Sequence, residues 1–341
     1  MEYLGVEKPI NAITPVVSVC VQTYQQVHFV RKCLDSILQQ RTTFEYEIVV
    51  GEDESTDGTR EVCMEFAQKF PDRIRLFLRS RKDVIYINGQ ATGRFNFLEN
   101  LKASRGRYIA LCEGDDFWTD PLKLQKQVNN LQNNPTYSAV FTDLIHIDFA
   151  GNLIGESRRV PVGYQSIDTS FLLQTNAIHT STILFKKEII NEKVNDFIKR
   201  MPYGDMSLYL IASLSGNIGY IPDITSAYRV NVGVTSTMNK ALLAKNSIFI
   251  RESFLKEFDN RKLFRDQFKI GLKRYYLDMC KGEFRNGNFF VGSRIYILVF
   301  TYYSIYRIFT KYTIYKRIGF WEHFSPLREI FAYLAKSFFK R

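Results

Sequence analysis

Three carboxylates, Glu113, Asp115 and Asp116, crowd into four residues directly after the apolar run of residues 108–112. The run is typical of a buried strand, and open α/β sheets bind ligands in the loops just past the carboxyl ends of such strands. Carboxylates this close repel one another unless a cation or hydrogen-bond donors share the site. They suit Mg²⁺ or Mn²⁺, whose remaining ligands are often substrate phosphates. The alternative is a solvated acidic turn that caps a helix beginning near Pro121.

A second acidic group, residues 52–54, follows the short apolar stretch of residues 47–50. Capping of the next helix by Thr56 or Asp57 explains one acid in this region but not three at the strand end. A carboxylate at this edge of a nucleotide-binding sheet can accept a hydrogen bond from a base or a ribose. We therefore interpret Asp53 as a nucleotide contact.

The elements that must position these acids alternate between strand and helix patterns. A continuous apolar run at residues 16–21, a helical pattern over residues 27–38 and the strand at 47–50 predict a βαβ unit, whose crossover puts both strand ends on one edge. Further strands are predicted at residues 74–78 and 138–142, with a basic and then polar loop at 79–93. The pattern indicates an α/β protein with a mostly parallel sheet flanked by helices.

Two further charged residues have both a structural and a functional interpretation. Arg94 opens a predicted short helix and could reach a diphosphate or a nucleobase, although a surface position is the commoner fate of an arginine. Asp205 lies at or near the first residue of another predicted helix, where capping alone would explain an aspartate. The local sequence does not decide between these interpretations.

The cysteines and the N-terminal residues indicate a compartment. The five cysteines include no C-x-x-C pair, which is typical of buried thiols in a reducing environment. The first 15 residues have no basic segment followed by an apolar one, so no secretory signal is expected. We therefore expect a cytoplasmic protein.

The basic character of the chain, which has a net charge of +11, belongs to its C-terminal third. Residues 240–341 contain 21 Lys and Arg against 8 Asp and Glu, whereas residues 1–239 contain 25 against 27. This asymmetry predicts one domain over residues 1–237 and a basic, mainly helical extension over residues 238–341.

The extension has three interpretations. Its apolar and aromatic run at residues 295–306 is 12 residues long, shorter than the roughly 20 that a spanning helix needs. Basic aromatic helices suit peripheral contact with an anionic membrane, here its inner face. An alternative is a helical subdomain buried on itself or against a second copy in a homodimer. Charge alone would also suit nucleic acid, but no recognition-helix or RNA-platform signature is present, and we expect no nucleic-acid partner.

Three blocks, in their order and spacing over residues 16–229, resemble the family 2 glycosyltransferases, inverting enzymes of the GT-A fold that use nucleotide-diphosphate sugars. Residues 17–24 resemble the opening strand and nucleotide loop, with Gln22 where the family usually has Pro. Residues 52–59 resemble the acid-acid-x-Ser-x-Asp-Gly stretch. Residues 113–116 resemble the metal- and ribose-binding motif, with Glu113 for the first Asp.

The resemblance implies a Rossmann-like GT-A catalytic domain in residues 1–237 and assigns roles to individual residues. The implied donor nucleotide contacts are Thr23, Tyr24, Glu52, Asp53, Arg94, Asn96, Glu113 and Asp115. Asp115 and Asp116 would hold the divalent cation, Mg²⁺ or Mn²⁺. Asp205, preceded by Gly204, stands at the position of the catalytic base. We assign acceptor or diphosphate contacts to His179, Thr180 and Arg229.

The implied activity is inverting transfer of a sugar from a nucleotide-diphosphate donor to a hydroxyl group. UDP is the family's commonest nucleotide, and a glycan or lipid-linked acceptor in cell-surface polysaccharide or lipopolysaccharide assembly suits the basic aromatic extension. The departures at Gln22, Glu52 and Glu113 keep open an alternative of another class, a non-catalytic nucleotide-sugar-binding or scaffold protein on the same fold.

Overall fold

The computed structural model describes residues 2–3, 5, 13–233, 238–258, 264–288, 291–293 and 295–296. Contacts within the chain divide it into two compact units, Met1–Thr237 with Phe254–Asp259, and Met238–Ser253 with Asn260–Arg341. The division into a catalytic domain and an extension at residue 237 stays a prediction.

Most strands of the described residues belong to one mixed sheet. The strands are β1 Glu2–Tyr3, β2 Val17–Thr23, β3 Tyr46–Glu52, β4 Ile74–Leu78, β5 Ile85–Ile87, β6 Gln90–Thr92, β7 Tyr108–Glu113, β8 Phe117–Trp118, β9 Ala139–Ile147, β10 Leu153–Ser157, β11 Ser166–Ile167, β12 Leu184–Lys186 and β13 Ile218–Arg229. Their order is β1-β4-β3-β2-β7-β12-β9-β13-β11, with β10 added to β9 and β8 added to β13. The longest ladders, β2 with β3, β2 with β7 and β9 with β13, are parallel.

The helices of the described residues flank this sheet. They are α1 Val30–Leu38, α2 Thr59–Lys69, α3 Arg94–Ala103, α4 Lys123–Asn133, α5 Thr169–Gln174, α6 Glu192–Arg200, α7 Gly204–Ser215, α8 Lys240–Glu257 and α9 Arg265–Arg285. Alternation along β2 separates two faces: Val19 and Val21 pack in the core that contains residues of α1, α2 and α4, whereas the Cys20 thiol contacts Ser104 at the end of α3.

The central strands are apolar because both of their faces are covered. All of β3 is buried, and β2 is buried except for Gln22. Continuous Val- and Ile-rich runs of this kind are expected in parallel strands between two helical layers. In the register, Thr23 pairs with Glu52 and Gln22 pairs with Glu113, so the three strands end together on one edge of the sheet.

One local prediction from the sequence is wrong. The loop predicted at residues 79–93 contains a short 3₁₀ helix, Arg81–Asp83, and the antiparallel hairpin of β5 and β6. The helix predicted to begin near Pro121 starts at Lys123, and no side chain caps it. Asp115 and Asp116 are buried, so the solvated-cap interpretation of the acids at 113–116 fails.

The described part of the second unit is helical. In it, the buried Arg251 of α8 lies 4.3 Å from the ring centroid of Tyr275 in α9. Of the apolar run at residues 295–306, only residues 295–296 are among those described, and the rest of the run lies outside them. Within the described ranges, no helix combines the length and the apolar character needed to cross a bilayer.

A buried lysine at the start of α4 predicts a pH dependence of stability. Lys123 is fully buried, donates a 2.7 Å hydrogen bond to Gln127 and lies 4.4 Å from the Trp118 ring centroid. Burial lowers its pKa from 10.5 to about 7. Between these values the unfolded chain binds more protons than the folded one, so the free energy of unfolding rises as the pH increases from 7 towards 10.

We expect Lys123→Met to lose this rise, at about 1.4 kcal/mol per unit of pKa shift. Urea unfolding at several pH values measures it. Lys126→Met is the matched control, because Lys126 is on the same helix but is paired with Asp120 and Asp223, and its pKa is raised instead. An unchanged pH slope in Lys123→Met would contradict the assignment.

Candidate functional site

The carboxyl ends of β2, β3 and β7 bring together side chains from three separate parts of the chain. Thr23 ends β2, Asp53 follows β3, and Glu113 ends β7. The backbone N–H of Asp53 donates to the carbonyl of Thr23 at 3.1 Å, and that of Gly114 donates to the carbonyl of Gln22 at 3.0 Å. The acids at residues 52–54 and 113–116 therefore lie at one edge of the sheet.

The acidic loop after β7 is fastened by Arg229, the last residue of β13. The Arg229 backbone N–H donates to the Asp116 carboxylate at 3.0 Å, and its Nε donates to the Asp115 carbonyl at 3.2 Å. Its Nη1 donates to the carbonyls of Asp148 and Phe149 at 2.8 and 2.7 Å. Arg229 thus holds the loop in place, and its contact with the diphosphate or acceptor stays a prediction.

Burial and mutual repulsion make the loop carboxylates hard to ionise. The pKa of Glu113 is raised by burial and then by the charges of Asp115, Asp116 and Asp205. The pKa of Asp116 is raised by burial and by Asp115, and the pKa of Asp115 by burial. A cation held between such groups would remove the repulsion and restore the charged forms.

The residues present fit a divalent cation of a particular kind. Asp116 Oδ2 is buried without a hydrogen bond of normal geometry, so an oxygen ligand is available beside Asp115. Among the residues that the structure describes, no group of three or more His, Cys, Asp and Glu side chains is arranged to hold a metal. Mg²⁺ and similar ions are commonly bound by one or two carboxylates, with water and substrate phosphates as further ligands. Asp115 and Asp116 fit that donor set.

Asp53 is paired with an arginine from the next loop. Arg81 Nη1 donates to Asp53 Oδ2 at 2.7 Å, and its guanidinium lies 4.2 Å from the ring centroid of Tyr24. The backbone N–H of Arg81 donates to the Glu54 carboxylate at 2.5 Å. Asp53 Oδ1 is buried without a partner, and burial raises the pKa of this carboxyl more than Arg81 lowers it. An N–H donor of a ligand would satisfy that oxygen.

The neighbouring acid Glu52 has internal partners. It is fully buried, accepts a 2.7 Å hydrogen bond from the backbone N–H of Ser55 and is paired with Arg60. These bonds shape the loop that carries Asp53. Of the two acids, Asp53 has a side-chain oxygen without a hydrogen-bond partner, which agrees with the interpretation of Asp53 as a nucleotide contact.

Arg94 and Asn96, both predicted to contact the donor nucleotide, form hydrogen bonds with the protein's own backbone, and their contact with a ligand stays a prediction. Arg94 is buried, and its Nη2 donates to the carbonyls of Met201 and Pro202 at 3.0 and 3.1 Å. Asn96 is buried as well, and its amide donates to the carbonyl of Gly51 at 2.7 Å. Both side chains are bonded to the protein's own backbone because α3 packs its first turns against β3 and the start of α7.

Asp205 lies in the first turn of α7 but does not cap it. The N-cap residue is Tyr203, and no side chain makes a capping hydrogen bond there. Thr180 donates to Asp205 Oδ2 at 3.1 Å, and Tyr209 lies 3.4 Å from the Thr180 hydroxyl. Thr180 begins the 3₁₀ helix Thr180–Thr182, which packs against β7, so the predicted base lies close to the strand that ends in the acidic loop. The cap-only interpretation of Asp205 is therefore excluded.

His179 lies in an aromatic cluster next to Thr180. Its ring centroid is 5.9 Å from that of His146 and 5.2 Å from that of Tyr228. Burial lowers the pKa of His179 well below its usual value, so the ring is neutral, and Nε2 is buried without a partner. The cluster joins β9, β13 and the loop before Thr180 beside the predicted base.

Several residues at this edge escaped the interpretation of the sequence. Arg81 belongs to a basic stretch after β4, so its charge and its place at a strand end were a usable signal. Gln26, whose side chain lowers the pKa of Asp115, and the pair His146 and Tyr228 gave no signal, because only the folded chain brings them beside the predicted residues.

Comparison with known proteins identifies relatives over most of the first unit. An uncharacterized protein of Mycobacterium tuberculosis is 32% identical over 210 residues, which are 61% of this chain and 56% of the relative. The chain therefore spans little more than half the length of the mycobacterial relatives. The Escherichia coli protein WfgD, named UDP-Glc:alpha-D-GlcNAc-diphosphoundecaprenol beta-1,3-glucosyltransferase, is 26% identical over 271 residues, 78% of this chain and 98% of WfgD.

A mannosyltransferase from Pyrobaculum calidifontis, solved with GDP-Man and Mn²⁺, is similar in structure. The TM-score is 0.53 at 18% sequence identity, over 80% of this chain and 74% of that one. This likeness confirms the predicted GT-A fold. The family model for glycosyl transferase family 2 matches residues 18–193, which include the acidic loop and His179. The chain belongs to glycosyl transferase family 2.

Proposed function

We propose that this protein is an inverting glycosyltransferase that moves a sugar from a nucleotide-diphosphate donor, a UDP-sugar, to a hydroxyl group of its acceptor. One observation supports the proposal: in a family 2 chain, Asp53 and the acidic loop at 113–116 lie at one edge of the sheet, and Asp205 is bonded to Thr180 in a 3₁₀ helix that packs against β7, although these residues are far apart in sequence. A nucleotide contact, a diphosphate site and a base are the three parts that this transfer needs.

The chemistry follows from the positions of the charged groups. The acceptor hydroxyl loses its proton to the Asp205 carboxylate while its oxygen attacks the anomeric carbon. The bond from that carbon to the diphosphate breaks, and the electron pair leaves with the nucleoside diphosphate. A divalent cation held by Asp115 and Asp116 would supply Lewis-acid stabilisation of the charge on the leaving group. A single displacement with one base inverts the anomeric centre.

Asp205 is held for this task by its neighbours. The hydrogen bond from Thr180 fixes one carboxylate oxygen and leaves the other as the acceptor of a proton. No residue has to form a covalent bond with the sugar in this reaction.

We infer a glycan or lipid-linked acceptor, with the protein at the inner face of the membrane. The name of WfgD describes a sugar on a diphosphate-linked polyprenol, and the match covers nearly all of that protein. The excess of Lys and Arg in residues 240–341 suits an anionic surface or a diphosphate-linked substrate. Assembly of a surface polysaccharide is the setting that this acceptor class suggests.

The proposed function is tested by incubating the full chain with UDP- and GDP-sugars, Mn²⁺ and glycan or lipid-diphosphate acceptors. A thermal-shift screen finds the donor first, because a ligand that binds the folded state stabilises it in proportion to its affinity. NMR of the product then reports the anomeric configuration. A retained configuration would exclude the single displacement, and binding of donors without transfer to any acceptor would support the non-catalytic alternative.

The pair of Asp53 and Arg81 predicts how the nucleobase is recognised. We expect Asp53→Ala and Arg81→Ala each to raise the Kd for UDP about tenfold, because each removes a charged hydrogen-bonding group worth roughly 1.5–3 kcal/mol. The double variant should lose less than the sum, since the two side chains are bonded to each other. Titration calorimetry measures the three values.

A matched control for this pair is Glu65→Ala, which removes the carboxylate from another arginine pair, that with Arg31, on the surface. Its Kd for UDP should equal that of the unmodified protein. Strictly additive losses of UDP-binding free energy in the double variant would contradict a shared role of Asp53 and Arg81 in nucleobase binding.

A further inference from the structure

Arg94 links helix α3 to the segment that leads into helix α7. It is the first residue of α3 and is 6% exposed. Both hydrogen bonds of its Nη2 go to carbonyls, those of Met201 and Pro202, in the segment that leads into α7. The guanidinium therefore holds the backbone immediately before the helix that carries Asp205.

Gly204, the first residue of α7, is shaped by the same contact. A Cβ atom at this position would lie 1.5 Å from Arg94 Nη1 and 2.7 Å from Cζ of the same guanidinium. Only a glycine lets the guanidinium come this close to the helix. The contact therefore depends both on the guanidinium of Arg94 and on a glycine at position 204.

The contact is also electrostatic. Burial lowers the pKa of Arg94 to about 10, so the side chain remains a cation at neutral pH, and the charge of Asp205 opposes that decrease. The buried cation thus lies close enough to the carboxylate to attract it. A buried guanidinium with carbonyl partners and a nearby anion is a stable arrangement that resists displacement.

The other end of this connection is the nucleotide-binding edge of the sheet. From the same helix as Arg94, Asn96 donates to the carbonyl of Gly51 in β3, and Asn100 donates to the carbonyl of Val21 in β2 at 3.0 Å. A Cβ atom at Gly51 would lie 1.8 Å from Asn96 Oδ1, so α3 sits directly on the strand. α3 is therefore fixed to β2 and β3 and reaches the base helix through Arg94.

We propose that Arg94 is a positioning residue that sets the first turn of α7, so that the Asp205 carboxylate faces the acceptor hydroxyl at a fixed distance from the donor site. This inference rests on the proposed function, in which Asp205 is the base. The proposed role differs from a nucleotide contact, because the Arg94 guanidinium donates hydrogen bonds to backbone carbonyls and lies against Gly204.

The proposal predicts a loss in turnover without a loss in donor binding. We expect Arg94→Ala to lower kcat about 100-fold, the effect of a catalytic group displaced by about 1 Å. The KM for the donor and the Kd for UDP should stay within about twofold. Guanidinium ion added to Arg94→Ala should recover part of kcat, because it can occupy the vacated place between the carbonyls and Asp205.

Arg75→Ala is the matched control. Arg75 also donates to a carbonyl of α3, that of Ala103 at 2.8 Å, but at the opposite end of the helix. It should lose stability, keep kcat within about twofold and show no response to guanidinium. A fall in kcat equal to that of Arg94→Ala would mean that any loosening of α3 has the same effect, and would overturn the proposal.

Gly204→Ala tests the contact from its other side and serves where Arg94→Ala fails to fold. The added methyl group displaces the guanidinium, so kcat should fall as in Arg94→Ala with the same Kd for UDP. A Gly204→Ala variant with full kcat would overturn the proposal, as would a rise of tenfold or more in the Kd for UDP in Arg94→Ala, which would assign Arg94 to the diphosphate.

Hydrogen exchange separates this inference from the proposed function. The backbone amides of α7 from Ser207 onwards should exchange faster in Arg94→Ala and Gly204→Ala than in the unmodified protein, and at an unchanged rate in Arg75→Ala. This measurement needs no substrate. Unmodified protein that transfers no sugar would refute the proposed function, whereas unchanged exchange of α7 would refute the positioning contact.

Discussion

Asp205→Asn should lower kcat for sugar transfer about 1000-fold and leave the Kd for UDP within about twofold, the range expected when a general base is removed. Asparagine keeps the shape of the side chain and an oxygen that can accept the hydrogen bond from Thr180. It cannot take up a proton at neutral pH. The loss should therefore fall on the chemical step alone.

The control for this variant is Asp168→Asn. Asp168 also begins a helix, α5, and unlike Asp205 it is a true cap whose carboxylate accepts from the backbone N–H of Phe171 at 2.9 Å. It should lower stability by about 1 kcal/mol or less and keep kcat. Single-turnover transfer assays with saturating donor, and calorimetry with UDP, measure both quantities. Turnover in Asp205→Asn at the level of the control would remove Asp205 as the base.

The sheet was predictable because burial on two faces leaves a simple pattern. β2, β3 and β7 are rich in Val, Ile, Leu and Cys, and the sequence predicts them within two residues of their bounds. The hairpin of β5 and β6 was missed because none of its strand residues is buried, so no alternation of buried and exposed residues marks the strands. Propensity alone does not separate such a hairpin from a loop.

The acids of the site were predictable for a topological reason. Parallel strands end on one edge, so a carboxylate directly after each strand must lie near the others. The partner of each side chain was not predictable in this way. Whether Arg94 reaches a ligand or a carbonyl depends on how α3 is set against α7, and the pairing of Arg81 with Asp53 depends on a loop that returns to the sheet edge. Sequence spacing contains neither distance.

The hydrogen-bond partners of an aspartate near a helix start distinguish a capping role from a functional one. Asp168 and Asp205 look alike in sequence, since each comes near the first turn of a helix, yet one bonds its own helix backbone and the other bonds Thr180 from a distant segment. A carboxylate whose bonds leave its own helix is free of the capping function. That difference singles out Asp205, and only the folded chain reveals it.

Removal of the divalent cation should abolish transfer. We expect excess EDTA to lower the rate of the unmodified protein at least 100-fold, with recovery on addition of Mn²⁺, because a Lewis acid at a leaving diphosphate is worth several kcal/mol. Asp115→Asn should reproduce this loss and should not be rescued by Mn²⁺ at concentrations that restore the unmodified protein. Without the cation, the loop carboxylates that remain charged repel one another and would also repel a diphosphate.

Asp120→Asn is the control for the metal experiment, because Asp120 lies on the same connection to α4 but is bonded to Lys126 and to the backbone of Leu122. Calorimetric titration of Mn²⁺ in the presence of UDP should show binding to the unmodified protein and to Asp120→Asn, and none to Asp115→Asn. Full transfer in EDTA would contradict the role of Asp115. It would mean that the protein's own cationic side chains stabilise the negative charge of the leaving group. Arg229 would then be the first to test, since its guanidinium already lies against the loop and needs only to exchange a carbonyl for a phosphate oxygen.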